Sequence, residues 1–220
     1  MEKKYLILDF GKVLAYPVTG HWFITPLLNK YVENGEINRE ELLEKIDEYS
    51  YMVGRKLETL DEEYKMFYDF YENVLLNINF PNYSKEIVEK IANNITYGSD
   101  KYKMYDAVKG ELKKLKDKYT LLLLSDNWPC CNRLMKEYKI YDYFDKIYIS
   151  SVYGVTKGER VFFDYPINDY NIKQGEAIFV DDNEKLLDIA EEKGFYVRLM
   201  DRENEVTNSK HKIIHNLYEI

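Results

Sequence analysis

Five short apolar runs constrain the fold of this chain more than any other feature. Lys4–Leu8 reads Lys-Tyr-Leu-Ile-Leu and stops at Asp9. Leu121–Leu124 is an unbroken run of leucine and stops at Ser125-Asp126-Asn127. Lys146–Ile149 stops at Ser150-Ser151, Ala177–Val180 stops at Asp181-Asp182-Asn183, and Phe195–Leu199 closes the set. Runs this short and this continuously apolar are the pattern of parallel strands buried on both faces. Helical spacing fills the intervals. Asp106–Lys118 places Ala107, Val108, Leu112 and Leu115 on one face. Glu184–Lys193 does the same with Leu186, Leu187 and Ala190, and Gly194 follows as a C-terminal stop. Strands alternating with helices predict a parallel α/β sheet.

Residues 17–98 break the rhythm. No strand pattern occurs there, and helical stretches are expected near 21–34, 38–55, 60–79 and 84–95. Turn signals at Asn34-Gly35 and Phe80-Pro81-Asn82 separate them. The expected division is therefore a core of 1–16 and 99–220 with a helical insert over 17–98. The tail beyond Asp201 is polar, and Lys212–Leu217 is expected to form a last short helix. That helix would place His211 and His215 on one exposed face.

Composition narrows the function classes. The chain has 220 residues, 31 basic and 39 acidic, for a net charge of −8. That balance argues against a mainly electrostatic grip on nucleic acid. No apolar run approaches the roughly 18–20 residues of a membrane span, and the run after Met1 is too short and too soon acidic for a secretory signal. The two cysteines, Cys130 and Cys131, are neighbours and cannot close a useful loop. Reduced thiols in a cytoplasmic protein are the expectation. A monomer or homodimer is expected.

The polar residues all fall at the C-terminal ends of the runs, the edge where open α/β sheets bind ligands. Asp9, Ser125, Asp181 and Asp182 would meet there with Lys157, from the loop after the third run. Carboxylates gathered in one place need cations to share them. Hard oxygen ligands favour Mg²⁺, and a lysine adds fixed positive charge. The set suits a dianionic group such as a phosphate, with a carboxylate able to act as nucleophile.

Asp9-Phe10-Gly11-Lys12-Val13-Leu14, Ser125, Lys157 and Asp181-Asp182 resemble the four motifs of the haloacid-dehalogenase-like hydrolase superfamily, in the same order and each at a strand end. The resemblance implies a Rossmann-like three-layer α/β/α core with a helical cap between motifs one and two. It implies Asp9 as nucleophile, forming an aspartyl-phosphate. Ser125 and the amides of Asp126 and Asn127 would hold phosphoryl oxygens, and Lys157 would neutralise Asp9 and the phosphate. Mg²⁺ would sit on Asp9, the Gly11 carbonyl and Asp182, with Asp181 acting through water. The implied partner is a small phosphorylated metabolite, with a sugar phosphate preferred.

The sequence departs from the family pattern at Gly11, where phosphatases of this type usually carry a second aspartate. The carbonyl ligand survives that change. A side chain to protonate the leaving oxygen does not, and such help is worth about 10²–10⁴-fold. His21, at the start of the insert, could supply the proton, while Trp22 reads as structural. Lesser departures are Asp126 after the serine, Gly158 after the lysine and Leu186 after the acidic pair. Gly11 also motivates a second reading, a non-catalytic binding or regulatory protein on the same fold. A receiver domain is disfavoured because its acidic pair follows the first strand. A dinucleotide site is disfavoured because no Gly-x-Gly-x-x-Gly follows Asp9.

Overall fold

The structure is a computed structural model and describes residues 4–220. Two compact units make up the chain. One comprises the chain up to Tyr16 together with Met104–Ile220, the other Pro17–Lys103.

The first unit is built on a six-stranded parallel sheet. Its strands are β1 (Tyr5–Leu8), β4 (Thr120–Ser125), β5 (Lys146–Ile149), β6 (Ala177–Asp181), β7 (Tyr196–Met200) and β8 (Ile213–Ile214). They lie in the order β5-β4-β1-β6-β7-β8. Two further strands, β2 (Ala15–Pro17) and β3 (Tyr102–Met104), pair as a separate ribbon along which the chain leaves and returns. At three residues each they carry too little pattern to be foreseen. Strand order reverses at β1. The chain builds outward through β4 and β5, then crosses to the other side of β1 for β6 and β7. Such a reversal opens a crevice beyond the carboxyl ends of the strands.

Successive strand residues face opposite sides. Ile7, Leu122, Leu124, Phe179, Val197 and Leu199 pack with Leu187 and Ala190 of the helix α9 (Glu184–Glu192) into one core. Leu6, Leu8, Leu121 and Leu123 are equally buried on the other face, and the helix α5 (Val108–Lys116) lies against β4. The three-layer core expected from the sequence is present. α9 ends as its sequence demands: Gly194 has φ +89°, and a Cβ there would lie 2.9 Å from Gln174 Cγ. Further helices of this unit are α6 (Cys130–Glu137), α7 (Ser150–Tyr153) and α8 (Asp164–Tyr170).

The tail differs from its expectation. Ile213 and Ile214 form β8, in register with Leu199 and Met200, where a helix over Lys212–Leu217 was expected. An isolated helix of six residues is marginal. Two β-branched residues instead complete the sheet beside β7.

The second unit is helical: α1 (Pro26–Glu33), α2 (Arg39–Tyr49), α3 (Leu60–Leu76) and α4 (Lys85–Tyr97). α3 buries Phe67, Phe70, Tyr71 and Val74 at helical spacing, and α4 buries Val88, Ile91, Ala92 and Ile95. Asn38 caps α2 through the Glu40 and Glu41 amides, but Glu41 turns to the Asn79 amide instead of closing a capping box. The reciprocal box occurs at α3, between Thr59 and Glu62.

Candidate active site

The sheet brings the acidic residues together. Leu8 is in register with both Leu123 and Val180, and the Asp9 amide extends the ladder by donating to the Val180 carbonyl at 3.0 Å. Asp9 therefore lies beside Asp181 at the carboxyl edge, at the point of strand reversal. Both are buried, 6% and 1% exposed. Lys157 arrives from the turn beyond α7. Its Nζ stands 2.6 Å from Asp181 Oδ2 and 2.9 Å from Asp9 Oδ1.

Asp9, Asp181 and Asp182 each offer an oxygen within 4.8 Å of the other two. Three carboxylates crowd one buried ammonium, so the cluster carries more acidic groups than the protein's own cation can balance. Asp9 Oδ1 is buried and, despite the nearby ammonium, accepts no well-angled hydrogen bond. A buried oxygen with unfilled acceptor capacity, in a cluster with that excess of acidic groups, fits a hard divalent cation such as Mg²⁺.

The titration of the groups reflects the same crowding. Burial opposes charge on Lys157, but Asp181, Asp9 and Asp126 outweigh it and hold the ammonium above its ordinary pKa. Burial pushes the Asp181 carboxyl up, with Asp9 adding to the effect and Lys157 opposing it. Burial likewise lifts Asp182 to about 6, helped by Asp9 and resisted by Lys12 and Lys157.

The remaining predicted residues take varied places. Ser125 ends β4, next to β1, and is 1% exposed. Asp126 Oδ1 accepts the Lys157 amide at 2.9 Å, so it fixes the lysine's backbone. The Asn127 amide donates to Ser150 Oγ at 3.0 Å, and its Oδ1 accepts the Trp128 amide. The Gly11 carbonyl accepts the Val13 amide at 2.6 Å. The left-handed residue of that turn is Lys12, with φ +52°, and not Gly11. Lys12 Nζ lies 4.0 Å from Asp182 Oδ2. Lys12 lay within the first motif and Ser150 at the end of the third apolar run, but nothing in their type or spacing marked these roles.

The histidines are separated. His211 and His215 flank β8 instead of sharing a helix face. The His211 side chain is 3% exposed and its Nε2 stands 2.7 Å from Asp188 Oδ1, so it is not the exposed residue expected. His215 Nδ1 lies 2.7 Å from the Asp201 carbonyl. His21, in the helical unit, accepts the Phe23 amide through Nδ1. Burial, then Arg39, lowers its pKa. Trp22 meets Tyr102 edge-on at 5.2 Å, and Cys130 and Cys131 are both buried.

Strand reversal at β1 and an acidic cluster shared with one lysine define an α/β protein with a candidate cation site at its switch point. The sequence matches the haloacid dehalogenase-like hydrolase family over residues 7–198, and the chain belongs to that family. It is 35% identical over 88 residues to a D-ribitol-5-phosphate phosphatase of Bacteroides thetaiotaomicron. That match covers 37% of this chain and 43% of the relative, so the chain spans less than half the length of that relative. Solved structures share the fold. A HAD family enzyme of B. thetaiotaomicron in complex with magnesium and inorganic phosphate is 20% identical, with TM-score 0.66, over 93% of this chain and 98% of that one. A HAD phosphatase from Thermococcus onnurineus gives 19% and 0.62 over 98% and 95%. A 2-haloacid dehalogenase from Pseudomonas syringae gives 15% and 0.65 over 99% and 96%. Among the described residues no helix is long and apolar enough to cross a membrane.

Proposed function

We propose that the chain hydrolyses a phosphate monoester of a small metabolite, with Mg²⁺, through a covalent aspartyl-phosphate on Asp9. The observation that carries this reading is the convergence of Asp9, Asp181, Asp182 and Lys157 at the switch point. An Asp9 carboxylate oxygen attacks phosphorus, the ester P–O bond breaks, and the leaving oxygen takes a proton. Water then attacks phosphorus, releasing inorganic phosphate and regenerating the carboxylate. Lys157 pairs with Asp9 and offsets phosphoryl charge. Ser125 and the Asp126 amide orient the phosphoryl oxygens, while the Asn127 amide is already engaged by Ser150 Oγ and braces the loop instead. Asp9, the Gly11 carbonyl and Asp182 would hold Mg²⁺, with Asp181 behind it. The ion would supply electrostatic stabilisation of the phosphoryl oxygens.

The helical residues 17–98 serve as a cap that selects substrate and excludes water during turnover. The relative that acts on D-ribitol 5-phosphate supports a sugar or polyol phosphate as substrate class. Two cysteines in all, adjacent and buried at Cys130 and Cys131, give no disulfide framework and suit a reducing compartment such as the cytoplasm. Gly11 favours a second reading, phosphate-dependent binding without turnover, because it supplies no acid for the leaving oxygen.

The test is turnover of p-nitrophenyl phosphate with Mg²⁺ and with EDTA, in wild type and Asp9→Asn. This leaving group needs little protonation. Metal-dependent turnover that vanishes in the variant is the expected result. A folded wild type that binds Mg²⁺ and phosphate but releases no nitrophenol would overturn hydrolysis in favour of binding.

A further inference from the structure

We propose that Arg202, clamped by Glu111, is a positioning residue for the turn that follows Asp9. Arg202 lies just beyond β7, in the stretch that reads from sequence as a polar tail. Its Nε donates to the Val13 carbonyl at 2.9 Å. Its two terminal nitrogens donate to both oxygens of Glu111, at 3.1 and 2.7 Å. The guanidinium carbon sits 4.9 Å from the centre of the Tyr105 ring. The Arg202 side chain is 5% exposed and that of Glu111 is 0% exposed.

Burying such a pair is costly, and its net worth to stability is small. A guanidinium is nevertheless the side chain that can serve a carboxylate and a carbonyl at once in one fixed plane. What the plane fixes is the turn. The Val13 amide reaches the Gly11 carbonyl at 2.6 Å, and the Lys12 amide reaches the Ala15 carbonyl at 2.7 Å. Between them Lys12 holds a left-handed φ of +52°, which non-glycine residues adopt only when their surroundings insist. Arg202 grips this strained turn from outside, on the peptide next to the Gly11 carbonyl contact. Glu111 is itself fixed: its Oε1 also accepts the Leu217 amide at 3.0 Å. α5 and the C-terminal segment thus meet at one carboxylate, which the Asp9 turn reaches through Arg202.

Arg202 touches no reacting atom. It acts by aiming the Gly11 carbonyl and Asp9, and its consequence for the cation rests on the proposed role of those two residues. Groups bonded to a metal ligand are worth about 10–100-fold in metal affinity, and Arg202 acts on that ligand through the Val13 peptide.

The experiment uses the full chain as wild type, Arg202→Lys, Arg202→Met and Leu112→Ala. Leu112 is fully buried in α5 and makes a control for loss of stability alone. Hydrogen exchange of the peptide covering residues 10–15 reads the turn, and calorimetric titration with Mg²⁺ reads the site. Lysine can keep Glu111 paired but cannot also hold Val13. Arg202→Lys is therefore expected to speed exchange about tenfold and to weaken Mg²⁺ binding about 10–100-fold, with Leu112→Ala showing neither at matched melting temperature. Wild-type exchange and affinity in Arg202→Lys, faster exchange with unchanged affinity, or the same local losses in Leu112→Ala would each overturn the proposal. Should Arg202→Met not fold, Arg202→Lys still decides. A wild type that binds no Mg²⁺ refutes the reading of the site instead, and exchange in the turn then decides the role of Arg202 by itself.

Discussion

Lys157 Nζ stands 2.6 Å from Asp181 Oδ2, with both side chains almost wholly buried. The other oxygen of Asp181 accepts the Asn183 amide at 2.9 Å. Both oxygens of Asp181 are thus engaged by the protein, whereas the nearest cation to Asp182 is Lys12 at 4.0 Å. This asymmetry favours Asp182 over Asp181 as the direct ligand of a divalent cation. Titration of Mg²⁺ into Asp182→Asn and Asp181→Asn separates the two. The expected order is a larger loss of affinity in Asp182→Asn. The reverse order would place the cation on Asp181.

Lys157 is the cation that makes the cluster tolerable without metal. Lys157→Met leaves Asp9 and Asp181 buried and unpaired. Loss of one partner of a buried pair costs about 3–5 kcal/mol, and chemical denaturation in EDTA is expected to show a loss of that order. Mg²⁺ should return part of it, because a divalent ion replaces some of the missing charge. A Lys157→Met protein as stable as wild type in EDTA would mean that the pair carries no such weight.

The acidity of Asp182 sets a pH dependence. Its folded-state pKa is raised to about 6, chiefly by burial. A cation needs the ionised form, so protons compete with Mg²⁺ below that value. Affinity should rise with pH through 6 and flatten above 7, falling roughly tenfold from pH 7 to pH 5 for one competing proton. Calorimetry in buffers of different ionisation enthalpy should also detect proton release on binding near pH 6. Affinity independent of pH over this range would mean that Asp182 is ionised throughout.

The sheet and its ligand edge were legible because each core strand is a continuous apolar run that stops on a polar residue. Burial on both faces imposes that pattern. Asp9, Ser125, Asp181 and Asp182 could be placed for the same reason. β2 and β3 were not legible, since three residues show no period. β8 was read as helix because two residues show no period, and Ile213 and Ile214 are identified as a strand only by pairing with β7. The contacts of Arg202 were invisible for a related reason: its partners Val13 and Glu111 are distant in sequence, and a lone arginine in a polar segment has the look of a solvated side chain. Lys12 lay inside a recognised motif, but backbone handedness leaves no mark in residue type unless glycine or asparagine bears it.

Gly11 makes the leaving group decisive. With no carboxylic acid at that position, departure of the oxygen depends on its own basicity. Across a series of aryl phosphates, kcat/KM should fall steeply as the leaving phenol becomes less acidic, and alkyl phosphates should trail by about 10²–10⁴-fold. A flat dependence would show that another residue supplies the proton. His21→Ala then becomes the test of which residue it is.

The strain at Lys12 gives a variant whose two effects point the same way. A left-handed φ costs a non-glycine residue about 1–2 kcal/mol, and glycine gives back about 0.5–1 kcal/mol through its looser unfolded chain. Lys12→Gly should therefore be neutral to about 1.5 kcal/mol more stable. It also removes an ammonium that stands 4.0 Å from Asp182 and competes with a metal for that carboxylate. Mg²⁺ should bind Lys12→Gly more tightly than wild type, by a factor that shrinks as salt screens the exposed lysine. Denaturant unfolding in EDTA and Mg²⁺ titration at two salt concentrations check both effects. A variant that gains stability but binds Mg²⁺ no better would show that Lys12 is held left-handed for the shape of the turn alone. A variant that loses stability would show that the Lys12 side chain contributes more to the folded state than its backbone costs.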